Sequence, residues 1–331
     1  MTLTTPPPAA ARPPAAAPVP APPRAPAPAP PTAPKGPAHG TQPPPAVRGH
    51  LALYLPGTAL TILGALLIGF VAHLTVVSGL QHNRDQQLAW ADFRFELAAG
   101  IAPVSQQDFD GKLVPVGTAV AVIEIPQIGV REVVFEGTDG ATLRSGPGHR
   151  RDTTFPGQPG MSTLMGRHDA YGGPFNRIEE LRAGDAFTVT TGQGEHTYEV
   201  IGVRRAGDPV PAPPEQGAGR LTLITAEVDT PFVPEDALYV DADLTSAVME
   251  TSGQLIQPGS APEEEDALAT DTGGMWALVL WLQALVLAAV AVVWLHRRRG
   301  ATQAWLIGVP VLLALGLTVA DSAALLLPNL L

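Results

Sequence analysis

A hydroxyl at Thr225 and an imidazole at His168 are the residue types from which a nucleophile and its base are assembled, because such an oxygen attacks only once a base takes its proton. Adjacent strand residues point to opposite faces, and no carboxylate stands out to orient the ring, so the pair is incomplete. Glu227, Asp229, Glu235 and Asp236 form a second cluster, with the oxygen donors that a hard cation such as Ca2+ takes. Their spacing matches no defined binding loop, so a solvated acidic loop is the favoured reading, and no metal or cofactor is expected. Arg167 carries a planar fork suited to a peptide carboxylate or a backbone carbonyl. Sulfur chemistry is excluded, since the 331 residues contain no cysteine. Without a thiolate there is no thioester, no disulfide and no thiolate metal site.

Strands must hold these side chains. Residues 221–225 alternate between Leu221, Leu223, Thr225 and Thr222, Ile224, the even period and β-branched content of a buried strand. Similar short runs at 119–126, 131–135, 161–165, 186–191, 196–203 and 237–241 are separated by Gly, Pro, Asp or Asn. That spacing predicts a closed all-β barrel over residues 112–244, with Gly192-Gln193-Gly194 as a hairpin loop.

Composition divides the rest. Residues 1–50 are mostly Ala and Pro, without an acidic residue, and such a head builds no core; a disordered, cytoplasmic tail is expected. Residues 51–79 are apolar, and roughly 20 residues at ~1.5 Å each cross a hydrocarbon core, so a retained transmembrane helix is predicted. Within it, His73 is read as tolerated or interfacial. Residues 80–111 are expected to form an amphipathic helical connector, its apolar repeat made by Leu88, Ala91, Phe95 and Ala98 or Ala99, with Trp90 and Phe93 available for packing or the bilayer surface, ending at Gly100.

Residues 245–274, with Glu263, Glu264, Glu265 and Asp266, are read as a solvated acidic linker. Further spans are predicted at 275–295 and 305–327, joined by a basic cytoplasmic loop at 296–304 that holds His296 and Arg297 to Arg299. Positive charge on that loop and on the head sets a multi-pass plasma-membrane topology: N-terminus inside, barrel and C-terminus outside. Asp321, near the outer end of the last span, is read as solvated rather than paired with His73. Residues 80–274 hold 30 of the 31 acidic residues and only 13 of the 20 basic ones, a net charge of −17 that argues against a nucleic-acid partner.

Ordered motifs within 112–244 go further. Ile125-Pro126 with Gly129, Glu136-Gly137-Thr138, Leu143 followed by Gly146-Pro147-Gly148-His149, and Pro156-Gly157-Gln158-Pro159-Gly160 come first. Tyr171-Gly172-Gly173-Pro174-Phe175, Leu181 with Gly184-Asp185, and Tyr198 with Val200 follow. The set resembles the sortase family, and the spans and proline-rich head resemble actinobacterial membrane proteins carrying that domain. The resemblance implies an eight-stranded sortase barrel and a cleft in which a cysteine attacks a Thr-Gly bond of a cell-wall sorting signal. A histidine protonates the leaving amine there, and an arginine supports the oxyanion or peptide.

Carried onto this chain, the cysteine position holds Ala226, the histidine position Arg167 and the arginine position Ala237. His168 lies one residue on and is expected to point away from the cleft. The resemblance therefore implies a membrane protein that is inactive as a cysteine transpeptidase and presents its barrel to a peptide or cell-wall-associated protein. Arg167, His168, Tyr171, Thr225 and Glu227 are the candidates to line that cleft. The rival is a hydrolase or transpeptidase using substitute residues such as Thr225 with His168.

Overall fold

Apolar alternation becomes eight strands in a computed structural model that describes residues 51–331 except 109, 252, 254, 271 and 272, and leaves out the side chains of 51–59 and 61. The expected Pro/Ala-rich tail, residues 1–50, lies outside the described residues. The strands are β1 (Ala119–Ile125), β2 (Val130–Glu136), β3 (Gly148–His149), β4 (Gly160–Met165), β5 (Ala186–Thr191), β6 (Gly194–Arg204), β7 (Gly219–Glu227) and β8 (Asp236–Leu244). They close into a barrel in the order β1-β2-β3-β4-β7-β8-β6-β5, with β2/β3 and β4/β7 parallel. Seven strands lie where the alternation predicts them. The two-residue β3 is too short to carry a period.

β7 is buried at every residue but Glu227, because β4 and β8 flank it and both its faces are covered. Ile123, Leu164, Phe187, Val189, Leu221, Leu223 and Val240 fill the interior with Phe155 and Phe175. Burying each such side chain stabilises the barrel by roughly 1.5–3 kcal/mol.

Before the barrel, α1 (Leu51–Ala72), a π-turn (His73–Val77) and α2 (Ser78–Ala99) run on as one helix. It ends at Gly100, whose φ of 68° is the left-handed cap a glycine supplies. The expected apolar repeat of the connector is corrected: Leu88 and Phe95 are exposed, Phe93 is buried with Ala89, Trp90 and Leu97 packed around its cluster, and His82 is buried. The barrel chose the phase. Gln86 accepts from Val133 N at 2.7 Å and donates to Val133 O at 3.0 Å and Ser145 O at 2.8 Å, satisfying main-chain groups that β3 is too short to reach.

A short α3 (Thr142–Ser145) follows β2, and α4 (Met275–Arg299) and α5 (Ala301–Ala324) follow the barrel. Three helical stretches, Ile62–Ala99, Met275–Arg299 and Ala301–Ala324, are long and apolar enough to cross a membrane. The basic loop expected at 296–304 is instead the last turn of α4, joined to α5 through Gly300. There the arginines oppose the carbonyl end of the helix dipole. A side chain at Gly308 would come within 2.7 Å of Val292, so α4 and α5 meet at glycine distance.

In the acidic linker Glu263, Glu264 and Asp266 are exposed and one residue, Glu265, departs from the solvated reading. Thr138 Oγ1 donates to Glu265 O at 2.7 Å, Glu265 is buried, and burial pushes its carboxyl up to about 7.

Candidate functional site

The parallel ladder between β4 and β7 ends at Met165 opposite Ile224, and Gly166 N then donates to Ile224 O at 3.0 Å. Continuing that register brings Arg167 out beside Ala226. Across the antiparallel ladder to β8, Ala226 and Ala237 are direct partners. Arg167, Ala226 and Ala237 thus come together at one end of the barrel, although Arg167 is distant in the chain from the other two. Gly166 makes the turn tight, because a Cβ there would lie 2.5 Å from the Phe175 ring.

Arg167 is fully buried, donating from Nη1 to Leu331 O at 3.1 Å and from Nη2 to Gly140 O at 3.0 Å, with Tyr171 beneath it at 5.1 Å. Burial pushes it down to about 10, which leaves it charged at neutral pH. Burial also raises Tyr171, which keeps its phenol neutral. Tyr171 sits at φ 52°, a left-handed backbone that a non-glycine residue holds only where its surroundings enforce it.

His168 is corrected. It lines a small cavity with Thr225, Ala226 and Glu227, and its Nδ1 lies 2.7 Å from Asp169 Oδ1. Asp169 is the orienting carboxylate that sequence reasoning overlooked, and its other oxygen accepts from Phe232 N at 2.7 Å. Thr225 does not complete a triad: its hydroxyl donates to Gly166 O at 2.9 Å and makes no hydrogen bond to His168. The cavity measures about 10 Å³, room for one water at most.

Within the acidic cluster Glu227 and Asp236 are cross-strand partners and Glu235 N donates to Glu227 O at 2.9 Å, but the carboxylates turn to other groups. Glu227 pairs with Arg205, and Asp236 accepts from Ala237 N at 2.8 Å. Among the described residues no three acidic or histidine side chains group as metal ligands.

Two further constellations escaped the sequence. Asp321 is drawn inward: Arg144 Nη1 stands 3.2 Å from it, the Tyr171 hydroxyl 3.5 Å, and a buried His73 Nε2 3.8 Å, correcting the reading of a solvated carboxylate and a tolerated histidine. On β3, His149 is buried between Glu136 Oε2 at 2.9 Å and Thr154 O at 3.0 Å. Burial lowers its pKa, but the carboxylate and carbonyl outweigh that, and the imidazole is held above its ordinary value. Neither has a periodic signature: the first joins distant parts of the chain, and the second is local, within residues 136–154, but its spacing is irregular.

The sortase domain family model matches residues 123–245. Sortase D of Bacillus subtilis (strain 168) is 36% identical over 85 residues, which cover 26% of this chain and 41% of that protein. The match spans about two fifths of the curated relative's length. Sortase E of Streptomyces avermitilis is 32% identical over 40% of this chain and 91% of its own, at a TM-score of 0.35. A Clostridium perfringens sortase D5 transpeptidase is 20% identical over 49% of this chain and 99% of its own, at a TM-score of 0.41. Through the closed barrel that carries Arg167, Ala226 and Ala237, the chain belongs to the sortase family.

Proposed function

We propose that this is a non-catalytic member of the family, anchored in the membrane by its helices and presenting the barrel to a peptide or cell-envelope protein. The observation that carries the reading is the meeting of Ala226 and Ala237 as ladder partners beside Arg167, at the three positions where the family resemblance calls for cysteine, arginine and histidine. A methyl group has neither lone pair nor ionisable proton, and loss of a nucleophile costs about 10⁶ in turnover in a comparable triad. The positive-inside rule and the packing of residues 329–331 on the barrel support a topology with barrel and C-terminal segment on the outer side and the head within.

The test incubates the full chain, in detergent micelles, with a peptide containing the Thr-Gly bond of a cell-wall sorting signal and an amine acceptor. No cleavage or transfer is expected, and measurable turnover overturns the reading. A second reading, hydrolysis by substitute residues, draws on the His168–Asp169 contact. It requires turnover that Thr225→Val abolishes.

A further inference from the structure

The mouth of the barrel is occupied. Leu330 is fully buried in one apolar cluster with Leu143, Met165, Ile224, Ala226 and Ala237, and Leu331 is buried beside it. Main-chain contacts accompany the side chains: His168 N donates to Leu330 O at 2.8 Å, and Arg167 Nη1 donates to Leu331 O. A second jaw closes from the linker. Asn329 N donates to Ala269 O at 2.9 Å, and its Nδ2 donates to Glu264 O at 2.7 Å and Asp266 O at 2.9 Å.

We propose that this mouth is a receptor for a short apolar peptide whose resident ligand is the chain's own segment 328–331. The proposal deepens the non-catalytic reading and rests on it. Two methyl groups at 226 and 237 make a floor on which a leucine lands, where a thiol and a guanidinium would fill that space and place charge against it. At the third position Arg167 offers a donor that a peptide carbonyl accepts. The replacements that remove catalysis are therefore those that accommodate Leu330. With Leu330 fully buried against Ala226 and Ala237, no second peptide reaches that floor until the segment leaves.

Because the chain has no cysteine, Ala226→Cys creates a single thiol at the base of the mouth. Its alkylation by a maleimide, on the full chain in detergent micelles, reports how often the mouth opens. Three chains are compared: Ala226→Cys alone, with Leu330→Asp added, and with residues 328–331 removed. Loss of the segment is expected to speed alkylation at least about ten-fold, and a synthetic Pro-Asn-Leu-Leu peptide is expected to slow it again in the shortened chain. Equal rates in all three overturn the proposal, as does failure of the peptide to protect a shortened chain that still melts cooperatively. Should Leu330→Asp unfold the barrel, Leu330→Ala decides: several-fold faster alkylation supports the proposal, and an unchanged rate overturns it. Alkylation reads occupancy, not turnover. Transpeptidation by the native chain would sink the non-catalytic reading with the rates intact, whereas equal rates would sink the latch and leave that reading standing.

Discussion

β7 passes from the wall of the barrel to its mouth within a few residues. At Leu221 and Leu223 it faces a sealed interior between two hydrogen-bonded neighbours. At Ala226 the same strand, still paired on the β8 side, faces Leu330, which belongs to a segment arriving after the last helix. Wall side chains have no route out, while the mouth is covered by a piece of chain whose departure breaks no ladder bond. The difference is one of cover: Leu221 and Leu223 are enclosed by the ladders themselves, whereas Ala226 and Ala237, though ladder partners, are capped by Leu330.

The sharpest way to break that comparison is to hollow the wall. Leu223→Ala is expected to cost about 2–5 kcal/mol, read as a fall in the midpoint of denaturant unfolding, because neighbouring strands cannot collapse into the cavity. A cost under ~1 kcal/mol would mean the interior is no more rigid than the mouth. Arg167→Met is expected to cost about 1–3 kcal/mol by leaving the Gly140 and Leu331 carbonyls without their donor. A gain in melting temperature would instead show that burying the guanidinium outweighs its hydrogen bonds.

Glu265 sharpens the comparison at the linker side of the mouth. A carboxyl whose folded pKa stands above its unfolded value contributes stability that is fully present below about 4.5 and lost as pH rises through about 7. Glu265→Gln removes that dependence. Variant and parent are expected to melt together near pH 4, with the variant higher near pH 8; thermal melts across that range check the sign. The smallest effect belongs to the outer surface, where Arg177 and Glu180 pair in full solvent. Arg177→Ala is expected to leave the melting temperature unchanged within error, because screening and side-chain entropy offset an exposed pair.

Much of the barrel was legible. Alternation located the seven longer strands, and the family resemblance that the ordered motifs carry implied a barrel of eight. The site was legible in composition, since absent sulfur needs no structure to interpret. The connector shows the limit: its helical period was correct and its buried face was not, because Gln86 was recruited to satisfy Val133 and turned Phe93 inward with it. Asp321 and Glu265 were read as solvated for a similar reason. Charge in a sequence suggests water, and only tertiary neighbours such as Arg144 beside Asp321 replace it.

By itself the amino-acid sequence determined the alternating strands, the three apolar helices and the absence of a thiolate, because each follows from local period or residue type. Tertiary structure alone decided that Arg144 and His73 draw in Asp321, and that Leu330 fills the mouth over Ala226 and Ala237. Those contacts join residues whose separation along the chain leaves no periodic trace. They exist only once the ladders have closed and the last helix has brought its end back to the barrel.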